Sequence, residues 1–170
     1  MPFIKKKFPN YQAFGMATLQ DIYGESLENA LQHQMARTFA SCYIENKGDQ
    51  GFIITKLPVE AQFSMVQGII PYDFDEDGKL DLLIAGNLFP AEVETGKHDA
   101  SIGLFLKGDG KGNFESVRSM NSGFYTPGDV RDLSLLGTGS TPLVVISNNN
   151  GNVQIIRING NMKKQTLAVN

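Results

Sequence analysis

Residues Asp73-Phe74-Asp75-Glu76-Asp77-Gly78-Lys79-Leu80-Asp81 carry five acids and one lysine, a net charge of −4 in nine positions, whereas the whole 170-residue chain is only −3. The other 14 basic and 13 acidic residues sum to +1. Like charges crowded into one turn repel unless a cation sits among them. The acids occupy loop positions 1, 3, 5 and 9 with glycine at 6, so a tight turn can aim alternate side chains inward at a hard ion that takes roughly six to eight oxygens. The expected ion is Ca2+, bound by the carboxylates of Asp73, Asp75, Asp77 and Asp81 and the backbone carbonyl of Lys79. Gly78 supplies the positive φ that the turn needs, and Glu76 is expected to face solvent.

The residues after the loop decide its setting. Position 12 is Ile84, where an EF-hand would need a bidentate glutamate, and Leu80 to Ala85 reads as a buried strand where a helix should begin. The loop is therefore expected between strands. Four carboxylates fill a coordination sphere and leave little room for substrate or activated water, so the spacing points to binding and a structural ion, with no catalysis. The competing reading is a solvated acidic turn without metal.

A hydrophobic fraction of 41% suits a soluble globular chain, long enough for one domain with a core or for part of a larger one. No apolar run approaches the roughly 18 residues of a membrane span. The basic Lys5-Lys6-Lys7 has no apolar stretch behind it, so it is no signal peptide, and it is too short to argue for nucleic acid. The expectation is therefore either an intracellular chain or an export signal that lies upstream. The single cysteine, Cys42, excludes an internal disulfide and a zinc knuckle and is expected as a buried thiol in a strand.

Helix signals are confined to the first third, where Thr18-Leu19-Gln20-Asp21 and Ser26-Leu27-Glu28-Asn29 each open on a capping residue and Gly24 separates them. Beyond about Met35 come runs of four to eight residues rich in Ile, Val, Leu and Phe, punctuated by Gly, Asn and Asp. This predicts a helical or irregular lead-in over 1–34 and an all-β body over 35–170.

The β region is self-similar. Asn46-Lys47-Gly48-Asp49-Gln50-Gly51-Phe52 matches Lys107-Gly108-Asp109-Gly110-Lys111-Gly112-Asn113-Phe114, each predicted as a hairpin turn. Downstream, Tyr72-Asp73-Phe74 through Asp81-Leu82-Leu83-Ile84-Ala85-Gly86-Asn87 pairs with Val130-Arg131-Asp132 through Leu143-Val144-Val145-Ile146-Ser147-Asn148-Asn149. This gives repeats over roughly 35–100 and 101–158. In the second, the acidic loop has become Leu136-Gly137-Thr138-Gly139-Ser140-Thr141-Pro142, without an acid, so one ion per chain is expected.

A β unit of this length with a hairpin and an acidic loop resembles the FG-GAP and VCBS repeat family, the blades of integrin-like β-propellers found in many bacterial surface proteins. The resemblance rests on Asp73, Asp75, Asp77, Gly78 and Asp81, on Leu82 to Asn87, and on the turn Gly108 to Phe114. The order Phe8-Pro9, Ile22-Tyr23-Gly24, Leu57-Pro58, the acidic loop, then Gly96-Lys97-His98-Asp99-Ala100-Ser101 is similar to the C-terminal part of long VCBS-containing proteins. The resemblance implies a secreted or cell-surface location, structural Ca2+, and adhesion or recognition of a protein or glycan. The acid-free second loop and the small repeat number depart from the family pattern.

Closed propellers take roughly four to eight blades, so two repeats imply an incomplete propeller. Its neighbouring blades would come from the same or another chain, or the chain would form a homo-oligomer. Val153 to Ile158 is expected to open a third repeat or lend a strand to a neighbour. The alternatives to a non-enzymatic recognition module are the propeller portion of a secreted polysaccharide-active enzyme and an oligomer-forming scaffold. His98, Asp99 and Ser101 lie too close in sequence for a triad, which a fold assembles from distant segments. His33 is expected in solvent. Gly108 to Gly112 lacks the Ser/Thr and helix of a phosphate loop. Phe124 and Tyr125 are expected to pack at a strand edge, with a sugar or peptide site as the alternative.

Overall fold

The computed structural model describes residues 2–29, 34–137 and 142–159 and divides the chain into two compact units, Met1–Phe39 and Ala40–Asn170. In the first unit, three short helices succeed one another: α1 (Pro2–Lys7), α2 (Tyr11–Gly15) and α3 (Leu19–Tyr23). Thr18 caps α3 in a capping box, for its hydroxyl accepts from the Asp21 N–H at 3.2 Å while the Asp21 carboxylate accepts from the Thr18 N–H at 2.8 Å. Gly24 ends α3 with φ 57°. The second expected cap, Ser26, starts no α-helix, because α3 runs through Gly24 directly into a 3-10 turn, Gly24–Leu27, that contains it. His33 lies outside the described residues.

The second unit is all-β apart from short turns. Its strands are β1 (Cys42–Asn46), β2 (Phe52–Lys56), β3 (Gly68–Tyr72), β4 (Asp81–Ala85), β5 (Leu104–Gly108), β6 (Phe114–Val117), β7 (Val130–Leu136), β8 (Leu143–Asn148) and β9 (Gln154–Arg157), with one helical turn, α4 (Ser119–Ser122). They form three antiparallel meanders, β1-β2, β3-β4-β5-β6 and β7-β8-β9. Among the described residues no helix is long and apolar enough to cross a membrane.

Both matched turns are hairpins of one design. Asn46 faces Phe52 and Gly108 faces Phe114. Each turn closes on an N–H to carbonyl bond, Lys47 to Gly51 at 2.8 Å and Asp109 to Asn113 at 3.1 Å. Each also uses an Asn or Asp side chain to accept a backbone N–H two residues on. The downstream match needs correcting at its first strand. Tyr72 faces Asp81 and Leu136 faces Leu143, so Leu136 takes the place of Tyr72, while Val130 opens its strand. Two further boundaries move: β4 starts at Asp81 with Leu80 exposed, and β9 pairs with β8 as the third strand of its own sheet.

The four-stranded sheet is covered on both faces, which is why Leu82 to Ala85 is apolar without alternation. One face, with Ile70, Leu83, Ala85 and Phe105, packs on Val130, Leu133, Val144 and Ile146 of the three-stranded sheet. Here Gly68 has no room for a side chain, since a Cβ would stand 2.7 Å from Leu133 Cγ. The other face puts Ile84 and Leu106 against Ala61, Leu57 and Val66. Tyr43 of β1 meets Phe114 of β6 edge to face, with ring centres 5.6 Å apart. The β1-β2 pair is left with Ile44, Phe52, Ile53 and Ile54 exposed.

Candidate metal centre

The acidic loop joins β3 to β4, as expected. Glu76 at φ 58° and Gly78 at φ 84° make the turn, and Glu76 is exposed. The acids then cap the backbone amides that such a turn leaves without carbonyl partners. Asp73 accepts from the N–H of Asp77 (3.0 Å) and of Gly78 (2.8 Å), Asp75 from Asp77 (3.2 Å), and Asp77 from Lys79 (3.0 Å). The conformation is thus held by the same carboxylates that would bind an ion.

Asp73, Asp75 and Asp81 each bring a carboxylate oxygen within 4.8 Å of the others. Oxygens that share one calcium at roughly 2.4 Å lie at most about 4.8 Å apart, so the spacing and the all-oxygen donor set fit the ion. Asp77 stands outside this trio. Its carboxylate accepts from the ammonium of Lys107 at 3.3 Å and of Lys79 at 3.4 Å. Lys79 is exposed and enters the loop's bonding through its N–H and ammonium.

Asp81 differs from the other acids in being fully buried. One oxygen accepts from the Phe74 N–H at 3.1 Å and the other from the Gly108 N–H at 2.8 Å, which ties the loop to the end of β5. Gly108 is needed there because a Cβ would collide with the Leu80 carbonyl. Burial pushes the Asp81 carboxyl above its ordinary range. The two N–H donors oppose the shift, and the charges of Asp75 and Asp77 add to it.

Lys107 is a participant that sequence reasoning missed. It lies on β5, 32 positions from Asp75, and its ammonium is paired with Asp75 as well as Asp77. The hydrogen bond to Asp75 is the chief reason its pKa is raised. At Asp77, burial pulls the pKa upward, but the Lys107 hydrogen bond, the Lys79 N–H and both ammonium charges outweigh it, and the net shift is downward. A protein cation thus stands where the loop's charge calls for one. Its only sequence signal is that it opens the matched stretch Lys107 to Phe114.

The second loop has Thr138 to Thr141 outside the described residues. Of the remaining candidates, Cys42 is half-buried and donates to the Ala40 carbonyl at 3.2 Å. Phe124 is buried in the core, and Tyr125 is exposed. His98 bridges Leu88 through its backbone, and Ser101 bonds with Asn87. Comparison of the chain with protein-family models, with curated proteins and with solved structures finds no match.

Proposed function

We propose that this chain is a calcium-stabilised, non-enzymatic β-propeller-type module that recognises a glycan or protein at a cell surface. The observation that carries the reading is the acidic trio, whose oxygens have calcium-like spacing in a loop already folded by its own carboxylates. The sheets support the architectural part. A meander of four strands carries a meander of three on one face and the β2–β3 connection on the other, and β1 reaches it through the Tyr43–Phe114 ring contact. In a propeller, each blade is such a meander packed face to face on its neighbours. The β1-β2 pair has the turn design of β5-β6 and so corresponds to the outer half of a blade.

Thermal melting with calcium and with chelator tests the calcium part. With an affinity typical of extracellular modules, roughly 0.1 mM, about 2 mM calcium adds on the order of 1.8 kcal/mol by mass action. The melting temperature should rise in wild type and stay put in Asp75→Ala. Equal shifts in the two proteins, or none in wild type, would overturn the assignment. Calorimetry should count one ion per chain.

A further inference from the structure

A cleft of about 620 Å3 lies on the same unit, walled by the β4–β5 connection, the segment before β7 and the β8–β9 turn. Its walls are fastened by buried polar groups. Asn87 is fully buried; its amide donates to the carbonyls of Ser101 (2.9 Å), Pro127 (3.3 Å) and Gly128 (3.0 Å), and its oxygen accepts from the Ser101 N–H at 3.1 Å. Asp129, only 2% exposed, binds the β8–β9 turn through Asn149, whose side chain donates to its carboxylate at 2.9 Å and whose N–H donates to its carbonyl at 2.8 Å. Arg131 pairs with the same carboxylate at 3.0 Å. The Leu88–His98 bridge, with two backbone bonds of 2.9 Å, brings Phe89 and Lys97 side by side, and the Lys97 ammonium rests 5.1 Å from the centre of the Phe89 ring.

What these braces present is a set of unengaged polar groups. Among the described residues Lys97 makes no ion pair, although Glu92, Glu94 and Asp99 share its connection, and the side chains of Asn150 and Asn152 make no hydrogen bond. The carboxamides of Asn150 and Asn152 each offer donors and an acceptor together, which matches neighbouring hydroxyls on a sugar. An ammonium pinned to a ring at the wall calls for an anion. We infer that the cleft between the Phe89–Lys97 connection and the Asn148–Asn152 turn binds an acidic saccharide, with Lys97 meeting its carboxylate or sulfate and the turn amides its hydroxyls. This rests on the recognition reading above and narrows it to one ligand class at one place.

The test titrates a uronic-acid hexasaccharide, a neutral glucose hexasaccharide and an acidic oligoglutamate peptide into the isotope-labelled full chain with calcium present. The acidic sugar should shift amide signals of Phe89, Lys97 and the Asn148–Asn152 turn, with the neutral sugar and the peptide at least roughly tenfold weaker. Lys97→Met should weaken the acidic sugar by roughly tenfold. Lys111→Met, which removes an exposed charge on the β5–β6 turn away from the cleft, should leave binding within about twofold. Equal losses in the two variants, equal binding of the neutral sugar or the peptide, or no binding at all would overturn the inference. Acidic-sugar shifts confined to other residues would overturn the cleft while leaving the recognition reading standing, and the calcium reading is judged separately by the melting experiment.

Discussion

Asp81 and Asp75 sit in one loop, yet they answer to different physics. Asp81 is buried and serves two backbone N–H groups, whereas Asp75 is partly exposed and faces Lys107. Asp81→Ala should orphan both donors and destabilise the protein by about 2–4 kcal/mol already in chelator, with a further loss in calcium because a ligand of the trio goes with it. Asp75→Ala should cost far less in chelator and show its effect when calcium is added. Urea denaturation of both variants under both conditions separates the roles. Lys107 supplies a second contrast, because an ion entering the loop must share or displace its ammonium. Lys107→Gln should melt slightly lower than wild type in chelator, as a half-exposed ion pair stabilises by about 1 kcal/mol or less. It should bind calcium several-fold tighter, roughly threefold to tenfold. Weaker calcium binding in that variant would show that the lysine supports the site.

At the scale of single elements, α3 is a helix of five residues, too short to persist on propensity alone. It depends on its capping box. The hydrogen bonds from Thr18 lower the pKa of Asp21 below its ordinary 3.8. A depressed carboxyl contributes its full stabilisation above that unfolded value and loses it as pH falls through the lower folded value. The amide signals of Thr18 and Asp21 in the full chain should therefore move toward unfolded positions only below about pH 3.8. In Asp21→Asn this acid titration should vanish. A transition centred near neutral pH would assign the signal to another group.

For the β unit taken whole, β1 and β2 are the strands with the barest apolar faces among the described residues. Ile44, Phe52, Ile53 and Ile54 stay exposed on a two-stranded pair, although Leu106, at the corresponding place in β5, is fully buried beside β4. Two-stranded pairs with bare apolar faces and unpaired edges invite association. The chain should self-associate at tens of micromolar, as read by light scattering. Ile54→Lys combined with Phe52→Glu should raise the monomer fraction without lowering the melting temperature. A wild-type monomer at all concentrations would show that this face tolerates solvent.

The sequence determined what is carried by neighbours along the chain: the hairpin turns, the strand-like runs, the Thr18 cap, and an acidic loop whose spacing fits a cation. Glycine at positive φ, an Asx turn and alternating acids act within a few residues, so they are legible without the fold. Tertiary structure alone decided which strands share a sheet, that Val153 to Ile158 lies mostly in the third strand of β7-β8-β9, and that Leu136 stands where Tyr72 does. It also made Asp81 a buried brace, set Lys107 against Asp75 across 32 positions, and joined Asn87 to Gly128 across 41. The reason is the range of the forces involved. Burial and long-range pairing depend on which surfaces meet, and a local pattern is compatible with many such meetings.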